Sequence, residues 1–317
     1  MNSLFESFYG GGALLILWGA LITNLLLPIP TTLHPIHWWR QIAELVSNKV
    51  NQANASASQQ TLAGTLALAL LMLPALAVLL ALEPLVWQQN LYQLALLILA
   101  MDWRNTELFS RQLIQFMSKE DKTETRRLLE QKCNRETTSL SLLGLGKAGA
   151  ETMILSFSRQ VIGVLFWYAL AGGIGALFYR LLLELARLWS PYKPRYQHFS
   201  SATHHLFILM DYLPQKLFSM LALLGSSVSV IKQSLIQSKA WHNHATAWLL
   251  TGYGNKFELS LGGPAMYGEE KLQRARIGGK VAPATYHLAQ VHKHLSTRLY
   301  IWLTLQSLIL VVIHQGF

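Results

Sequence analysis

The sequence predicts an all-α fold: a polytopic integral membrane protein of five or six helical spans, with amphipathic helices on the cytoplasmic side. Three observations predict it. Of 317 residues, 52% are hydrophobic and only 13% charged, where soluble domains average about 25% charged. The apolar residues are clumped into uncharged blocks instead of recurring at the 3.6 or 2 period of half-exposed elements. The basic residues, finally, are shared unequally among the connecting segments. This composition excludes a disordered chain, a collagen-like or coiled-coil rod and a small disulfide scaffold, and it argues against an ordinary cytosolic enzyme. The single cysteine, Cys133, supplies neither an internal disulfide nor a Cys-based zinc site.

The chain reads as one membrane domain over 1–317. A helical span needs about 20 apolar residues, and helices are expected because lipid offers no partners to the backbone. Residues 11–29 are uncharged, with Asn24 the one strongly polar interruption; no Lys or Arg precedes Arg40 and 28–33 lacks a small-x-small cleavage site, so a retained helix is expected. Residues 62–82 are uncharged and contain Pro74. Weaker spans follow at 85–101, with Gln88, Gln89, Asn90 and Gln93, and at 217–231, with four serines. Between them, 161–179 is uncharged, and 299–313 closes the series but is short. The polar segments are 30–61, 102–160, 180–216 and 232–298. The first, second and fourth of these hold 21 of the 26 Lys and Arg residues, which places them in the cytoplasm with both ends outside. A glycine pair, Gly172-Gly173, leaves a second topology open, in which the fourth apolar block turns back as a re-entrant hairpin. The net charge of +10 is read as a topology and lipid-surface signal, so the bilayer is the expected partner and nucleic acid is not. Residues 51–60 read as a flexible connector, 117–138 as a solvated helix with i,i+3 and i,i+4 ion pairs, and 180–217 as an interfacial amphipathic helix.

Several residues carry candidate chemistry. Histidines come in pairs (34/37, 204/205, 242/244, 292/294), yet none has a Cys partner or an HExxH frame, so no metal site is assigned. Gly144 to Thr152, GLGKAGAET, suggests a phosphate loop, but Ser141 and Ala148 stand where a Walker pattern needs Gly and Ser or Thr. Gly262-Gly263-Pro264 is a turn whose N–H groups can approach an anion, although a plain tight turn uses the same residues. Glu151 and Arg159 lie eight residues apart, on roughly one side of a helix. Arg180, Glu184 and Arg187 read as an intrahelical pair set.

An ordered set of motifs then resembles a known family. His34-Pro35 follows the first span; Arg135-Glu136-Thr137-Thr138-Ser139-Leu140 is similar to an Arg-Asp-Thr-x-x-Leu element. Glu151-Thr152 leads into Leu165-Phe166-Trp167, Gly175-Ala176 and Tyr179-Arg180, and then come Asp211-Tyr212-Leu213-Pro214, Leu261 to Pro264, Tyr267-Gly268 and Ile277-Gly278. Over roughly 20–300 the chain resembles the CobD/CbiB family, the membrane-bound adenosylcobinamide-phosphate synthases of cobalamin biosynthesis. The resemblance implies an inner-membrane ligase that joins the carboxylate of adenosylcobyric acid, a corrinoid, to the amine of aminopropanol phosphate, with ATP and Mg and an acyl phosphate as the activated form. It makes Glu151 and Glu136 candidates for catalysis, and His34, Arg135, Lys147, Arg159, Arg180, Gly262 and Gly263 candidates for substrate and phosphate binding. A homo-oligomer, or a complex with other corrinoid enzymes, is left open. The chain also departs from the pattern. Leu155, Ser156 and Arg159 stand in place of Glu-Asn-x-x-Asp, Leu183 to Ala186 in place of Asn-Thr-Leu-Asp, Val164 in place of Pro, and Pro28-Ile29-Pro30 in place of Asp-Pro. Lost carboxylates cannot ligate a hard cation. The alternative is therefore a non-catalytic accessory or regulatory protein of the same fold, similar to the accessory membrane protein of β-lactamase induction.

Overall fold

The computed structural model describes residues 12–27, 34–52, 54–241, 244–267 and 270–314. Residues 11, 28 and 29 of the first expected span, the Pro28-Ile29-Pro30 stretch, Ala53, His242 and Gly268 lie outside them.

The fold is all-α and polytopic, as the composition predicts. Four helical stretches are long and apolar enough to cross a bilayer: Ala57–Leu85, Leu142–Leu188, Ser201–Leu223 and Thr285–Val312. Contacts group the chain into two compact units: unit 1 holds 1–104, 163–210 and 303–317, and unit 2 holds 105–162 and 211–302.

In unit 1, α1 (Ala13–Leu26) is a short apolar helix, and its Asn24 is put to use. The Asn24 amide donates to the Met101 carbonyl at 3.1 Å and accepts the Arg104 N–H at 3.1 Å, so the polar interruption ties down the end of α4 (Gln89–Ala100). Helix α2 (Pro35–Val50) starts where Pro35 fixes the first turn and His34 caps it. Helix α3 (Ala57–Leu82) opens with a Ser56/Gln59 capping box and stays continuous past Pro74. Helix α8 (Val164–Leu188) packs against α2, α3 and α4. Its Ala171 and Gly172 leave helical geometry, and Gly172 has φ +57°, a conformation suited to glycine. The Gln93 side chain accepts the Gly173 N–H at 2.6 Å there. The chain doubles back at the glycine pair: the Tyr179 ring lies against Gly163, sixteen residues earlier, and Trp167 and Tyr179 both reach the Phe207–Met210 turn of one helix, whereas a helix running straight on would hold Gly163 and Tyr179 about 24 Å apart. The two arms thus form the hairpin that the glycine pair left open.

In unit 2, α5 (Trp103–Ser118, from residue 105) and α6 (Lys122–Glu130, capped by Asp121) precede α7 (Leu142–Phe157, capped by Ser141). A π-helical turn, Ser158–Gly163, follows α7. Helices α10 (Val228–Ser238) and α11 (His244–Lys256) pack together and against a small β element. There β1 (Ser260–Gly262) pairs antiparallel with β4 (Arg276–Gly278), and β2 (Ala265–Tyr267) with β3 (Glu270–Leu272). This nested hairpin is the part of the fold that the helical reading did not foresee.

Helix boundaries also move. Helix α9 (Ser201–Leu223) occupies part of the expected 180–216 loop and ends inside the expected 217–231 span. The physical reason is local: Gly225 at φ +78° breaks the chain and Ser227 caps α10, so the serines that seemed tolerable in a span instead start a new helix. Helix α12 (Thr285–His314) begins well before 299, because its polar N-terminal half continues the same helix. Helix α4 has 12 residues, about 18 Å long, which is short of the roughly 30 Å hydrocarbon core.

The outward faces require lipid. On α3, Leu62, Leu66, Leu70, Leu73, Val78 and Leu80 are each more than half exposed. In water that row forgoes roughly 1.5–3 kcal/mol per side chain, together about as much as the whole stability of a typical protein; in hydrocarbon the cost vanishes. The inner face of α3 depends on Gly64, where an added Cβ would lie 1.8 Å from the Phe199 carbonyl oxygen. Gly64→Ala is expected to lower stability by about 1–3 kcal/mol, read as a lower melting temperature in detergent. Gly19→Ala, whose Cβ would meet only the Leu94 side chain at 3.4 Å, is expected to melt close to the wild type.

Candidate functional site

Helix α7 carries Lys147 and Glu151 four residues apart, hence on one face. Its small residues Gly146, Ala148 and Gly149 let neighbours close in: a Cβ on Gly146 would lie 2.0 Å from the Pro283 carbonyl oxygen. Glu151 is buried, and both of its carboxylate oxygens are engaged. Oε1 accepts the Gly262 N–H at 2.7 Å, while Oε2 accepts from Arg274 Nη2 at 3.2 Å and lies 3.7 Å from Arg135 Nη1. Arg135 also donates to the Gly144 carbonyl at 3.2 Å, and Arg274 to the Gly263 carbonyl at 3.1 Å, with its guanidinium over the Trp241 ring. Arg276 and Lys147 complete the cluster, each within the other's electrostatic reach. Gly262 and Gly263 have φ +70° and +84°, and a Cβ on Gly262 would lie 2.3 Å from the Ala275 carbonyl oxygen, so only glycine lets β1 turn here. The result is four cations about one saturated carboxylate, a donor-rich setting suited to a multiply charged anion.

Five of the sequence candidates therefore converge in unit 2: Glu151, Arg135, Lys147, Gly262 and Gly263. Glu136 lies on the neighbouring segment. Its backbone N–H donates to the Met266 carbonyl at 2.8 Å, and its carboxylate accepts from the Thr138 N–H and hydroxyl. The Thr138 hydroxyl holds that carboxyl below its ordinary range. Arg159 is not brought to this cluster: it donates to Asp211 at 2.9 Å and to Thr246 at 3.3 Å, and Thr246 donates on to Gln215 at 2.8 Å. Sequence reasoning missed Arg274 and Arg276. Their alternation two residues apart, next to a Gly-Gly pair, was the available signal, since i and i+2 share a strand face.

Unit 1 gathers His34 and Arg180 instead. Arg180 donates to Asp102 at 3.1 Å and lies 3.0 Å from Glu184 Oε1, while Glu184 Oε2 accepts two bonds from Arg40. Arg187 lies 3.6 Å from Glu184. The expected intrahelical set is present, but α2 and Asp102 join it, which the sequence did not reveal. His34 Nδ1 accepts the Ile36 N–H at 3.2 Å, so its other nitrogen carries the proton. Burial, then the nearby Arg180 guanidinium, pushes its pKa below the ordinary 6.5. Among the described residues no group of three His, Cys, Asp or Glu side chains is placed to hold a metal ion.

A family model described as CobD/Cbib protein matches residues 17–296. The chain is 28% identical over 272 residues to the cobalamin biosynthesis protein CobD of Stutzerimonas stutzeri, covering 85% of this chain and 89% of that one. It is 25% identical over 298 residues to the cobalamin biosynthesis protein CobD of Chromobacterium violaceum, covering 92% and 96%. It is 28% identical over 221 residues to a probable cobalamin biosynthesis protein CobD of Pyrococcus abyssi, covering 69% and 73%. No solved structure matches it.

Removing the hub of a buried charge cluster strands its partners. Glu151→Ala is expected to cost about 3–5 kcal/mol in detergent unfolding, and Glu151→Gln less, because it keeps an acceptor for Gly262. For His34, the unfolded chain takes up a proton near 6.5 while the folded chain resists it. Stability should therefore fall as pH drops below about 6.5. His34→Asn, which retains a cap acceptor, is expected to show a shallower loss in melting temperature between pH 7 and pH 5.

Proposed function

The chain belongs to the CobD/CbiB family, with a role in cobalamin biosynthesis, and from that premise we propose that it is the ligase which joins adenosylcobyric acid to aminopropanol phosphate. The product is adenosylcobinamide phosphate, and the new bond is an amide. One observation carries the reading: Lys147, Arg135, Arg274 and Arg276 crowd about a single carboxylate beside the Gly262-Gly263 turn. Both the amino alcohol phosphate and a nucleotide bring phosphate, and guanidinium and ammonium groups hold it by charge-assisted hydrogen bonds.

The residues divide the work. Lys147 and Arg276 are the cations that meet phosphate. Arg135 and Arg274 share that field and are held in place by Glu151, a positioning residue whose oxygens are already filled. Gly262 and Gly263 keep the backbone close, so that no side chain screens the anion. ATP, when bound, supplies the free energy that makes an amide from a free carboxylate favourable, and the same cations suit its phosphates. The donor set does not suit a protein-held magnesium ion: a hard cation takes oxygen ligands, and the cluster's one carboxylate is committed to two guanidiniums and an N–H.

A second reading, a non-catalytic accessory of the same fold, is favoured by one observation. Arg159 stands where the resemblance expects an acid, and it is committed to Asp211 and Thr246. One assay separates the two readings. In a host lacking its own synthase, expression should restore growth on cobyric acid. Lys147→Ala and Arg276→Ala should each lower adenosylcobinamide phosphate formation by roughly ten- to a hundredfold. No rescue, with the protein confirmed in the membrane, decides for the accessory.

A further inference from the structure

We propose that α10 is a docking surface for anionic lipid, an in-plane helix that seats unit 2 on the headgroups of a negatively charged leaflet. It goes beyond the ligase reading and uses none of the residues assigned there. The argument begins with the sides of the helix. Its small polar residues turn inward, against α11 and β4. Ser234 and Ser238 are buried; the Ser234 hydroxyl accepts from the Asn255 amide at 3.0 Å, and its carbonyl accepts the Thr251 hydroxyl at 3.1 Å. Gln237 accepts the Gly278 N–H at 2.8 Å and donates to the Gly278 carbonyl at 3.3 Å. The large apolar residues turn outward: Val228 is 81% exposed and Ile236 59%, with Leu235 beside them. A surface helix in water hides its apolar stripe and shows its polar one; α10 does the reverse.

Length decides how such a face meets lipid. Gly225 at φ +78° and the Ser227 cap separate α10 from α9, so it does not continue that span. With 11 residues it is about 16 Å long, roughly half the hydrocarbon thickness. It is too short to cross, and its outward row suits the boundary between headgroups and acyl chains. The bonds of Gln237 fasten the helix to β4, so it is a fixed rib of the unit.

The second observation is charge. Between Asp211 and Glu258 the chain has no Asp or Glu and four lysines, Lys216, Lys232, Lys239 and Lys256. Lys232 and the C-cap Lys239 are seven residues apart, about two turns, on the side of α10 that carries Val228 and Ile236, and both are exposed. Just before α10, Lys256 and Arg298 donate to the Ala222 and Leu224 carbonyls and add cations to the same edge. Lysine stems lie along apolar surface while their ammonium groups reach out, and each lysine near an anionic leaflet is attracted to it. A second copy of the chain suits the face less well, because a two-fold contact would set these lysines against themselves.

The test uses the full chain in phosphatidylcholine nanodiscs, with and without phosphatidylglycerol. Val228→Cys and Ile236→Cys, each with Cys133→Ser, carry a nitroxide. Both labels are expected to relax with oxygen, which collects in lipid, and little with a water-soluble nickel chelate. Relaxation by nickel at both positions overturns the proposal. So does spin–spin broadening that unlabelled protein dilutes away, which would seat a second copy on the face. A second measurement needs no cysteine. Phosphatidylglycerol and phosphatidylcholine probes with photoreactive headgroups are compared at equal mole fraction, and cross-links to residues 228–239 are counted. The anionic probe should lead by about fivefold or more, and Lys232→Gln with Lys239→Gln should bring the ratio toward one. Equal cross-linking of the two probes to the unsubstituted chain, or a preference that survives the double substitution, overturns the proposal. Neither corrinoid nor nucleotide enters these assays, so failure of the ligase reading leaves their outcome unaffected.

Discussion

The structure depends on how a mostly apolar chain keeps charge inside it. Away from water an isolated guanidinium or carboxylate is prohibitively costly, and a buried charge persists only when it is paired and hydrogen-bonded. Each compact unit meets that constraint in the same way, with one buried glutamate as the hub and arginines around it. Glu151 gathers Arg135 and Arg274 in unit 2, and Glu184 gathers Arg40, Arg180 and Arg187 in unit 1. The small residues of α7 and the positive-φ glycines of the β hairpin serve this arrangement, because they let backbone N–H groups and carbonyls come within reach of the charges. Apolar side chains set where the helices lie; the glutamate hubs set what those helices bring together.

Much of the fold was legible because lipid writes a coarse and forceful pattern. Uncharged blocks announced the helices at α3 and α8, and the capping residues Ser56 and Ser141 mark starts that local chemistry explains. The boundaries that moved did so where a local device competed with hydropathy. Gly225 and Ser227 end one helix and begin another inside an expected span. Arg180, Glu184 and Arg187 let α8 run on to Leu188, since paired charges no longer mark an exit from the apolar phase. The four short strands carried no alternation long enough to read, being three residues each.

The site was legible in its parts more than in its partners. Glu151, Lys147, Arg135 and the Gly262-Gly263 pair were visible as residue types in suggestive places, and the fold brings them together. Arg274 and Arg276 were hidden by their place in a polar stretch, where basic residues usually face solvent. Arg40 and Asp102 were hidden for another reason: each is more than 75 residues from Arg180 in sequence, and no local period links them. A linear reading sees spacing; it does not see that a buried glutamate must be answered from wherever the chain can reach it.

The same constraint bears on function. A carboxylate whose oxygens are all occupied is a poor base and a poor metal ligand, but it is an effective anchor for the cations around it. Held by such an anchor, guanidiniums need not reorganise when an anion arrives, and in a water-poor setting their field is strong. A balanced pair has nothing left to offer, whereas Lys147 and Arg276 stand beside a Glu151 whose oxygens are already committed to Gly262, Arg135 and Arg274. In this member of a cobalamin biosynthesis family, Glu151 is where the close packing of α7 and the cations of the β hairpin meet.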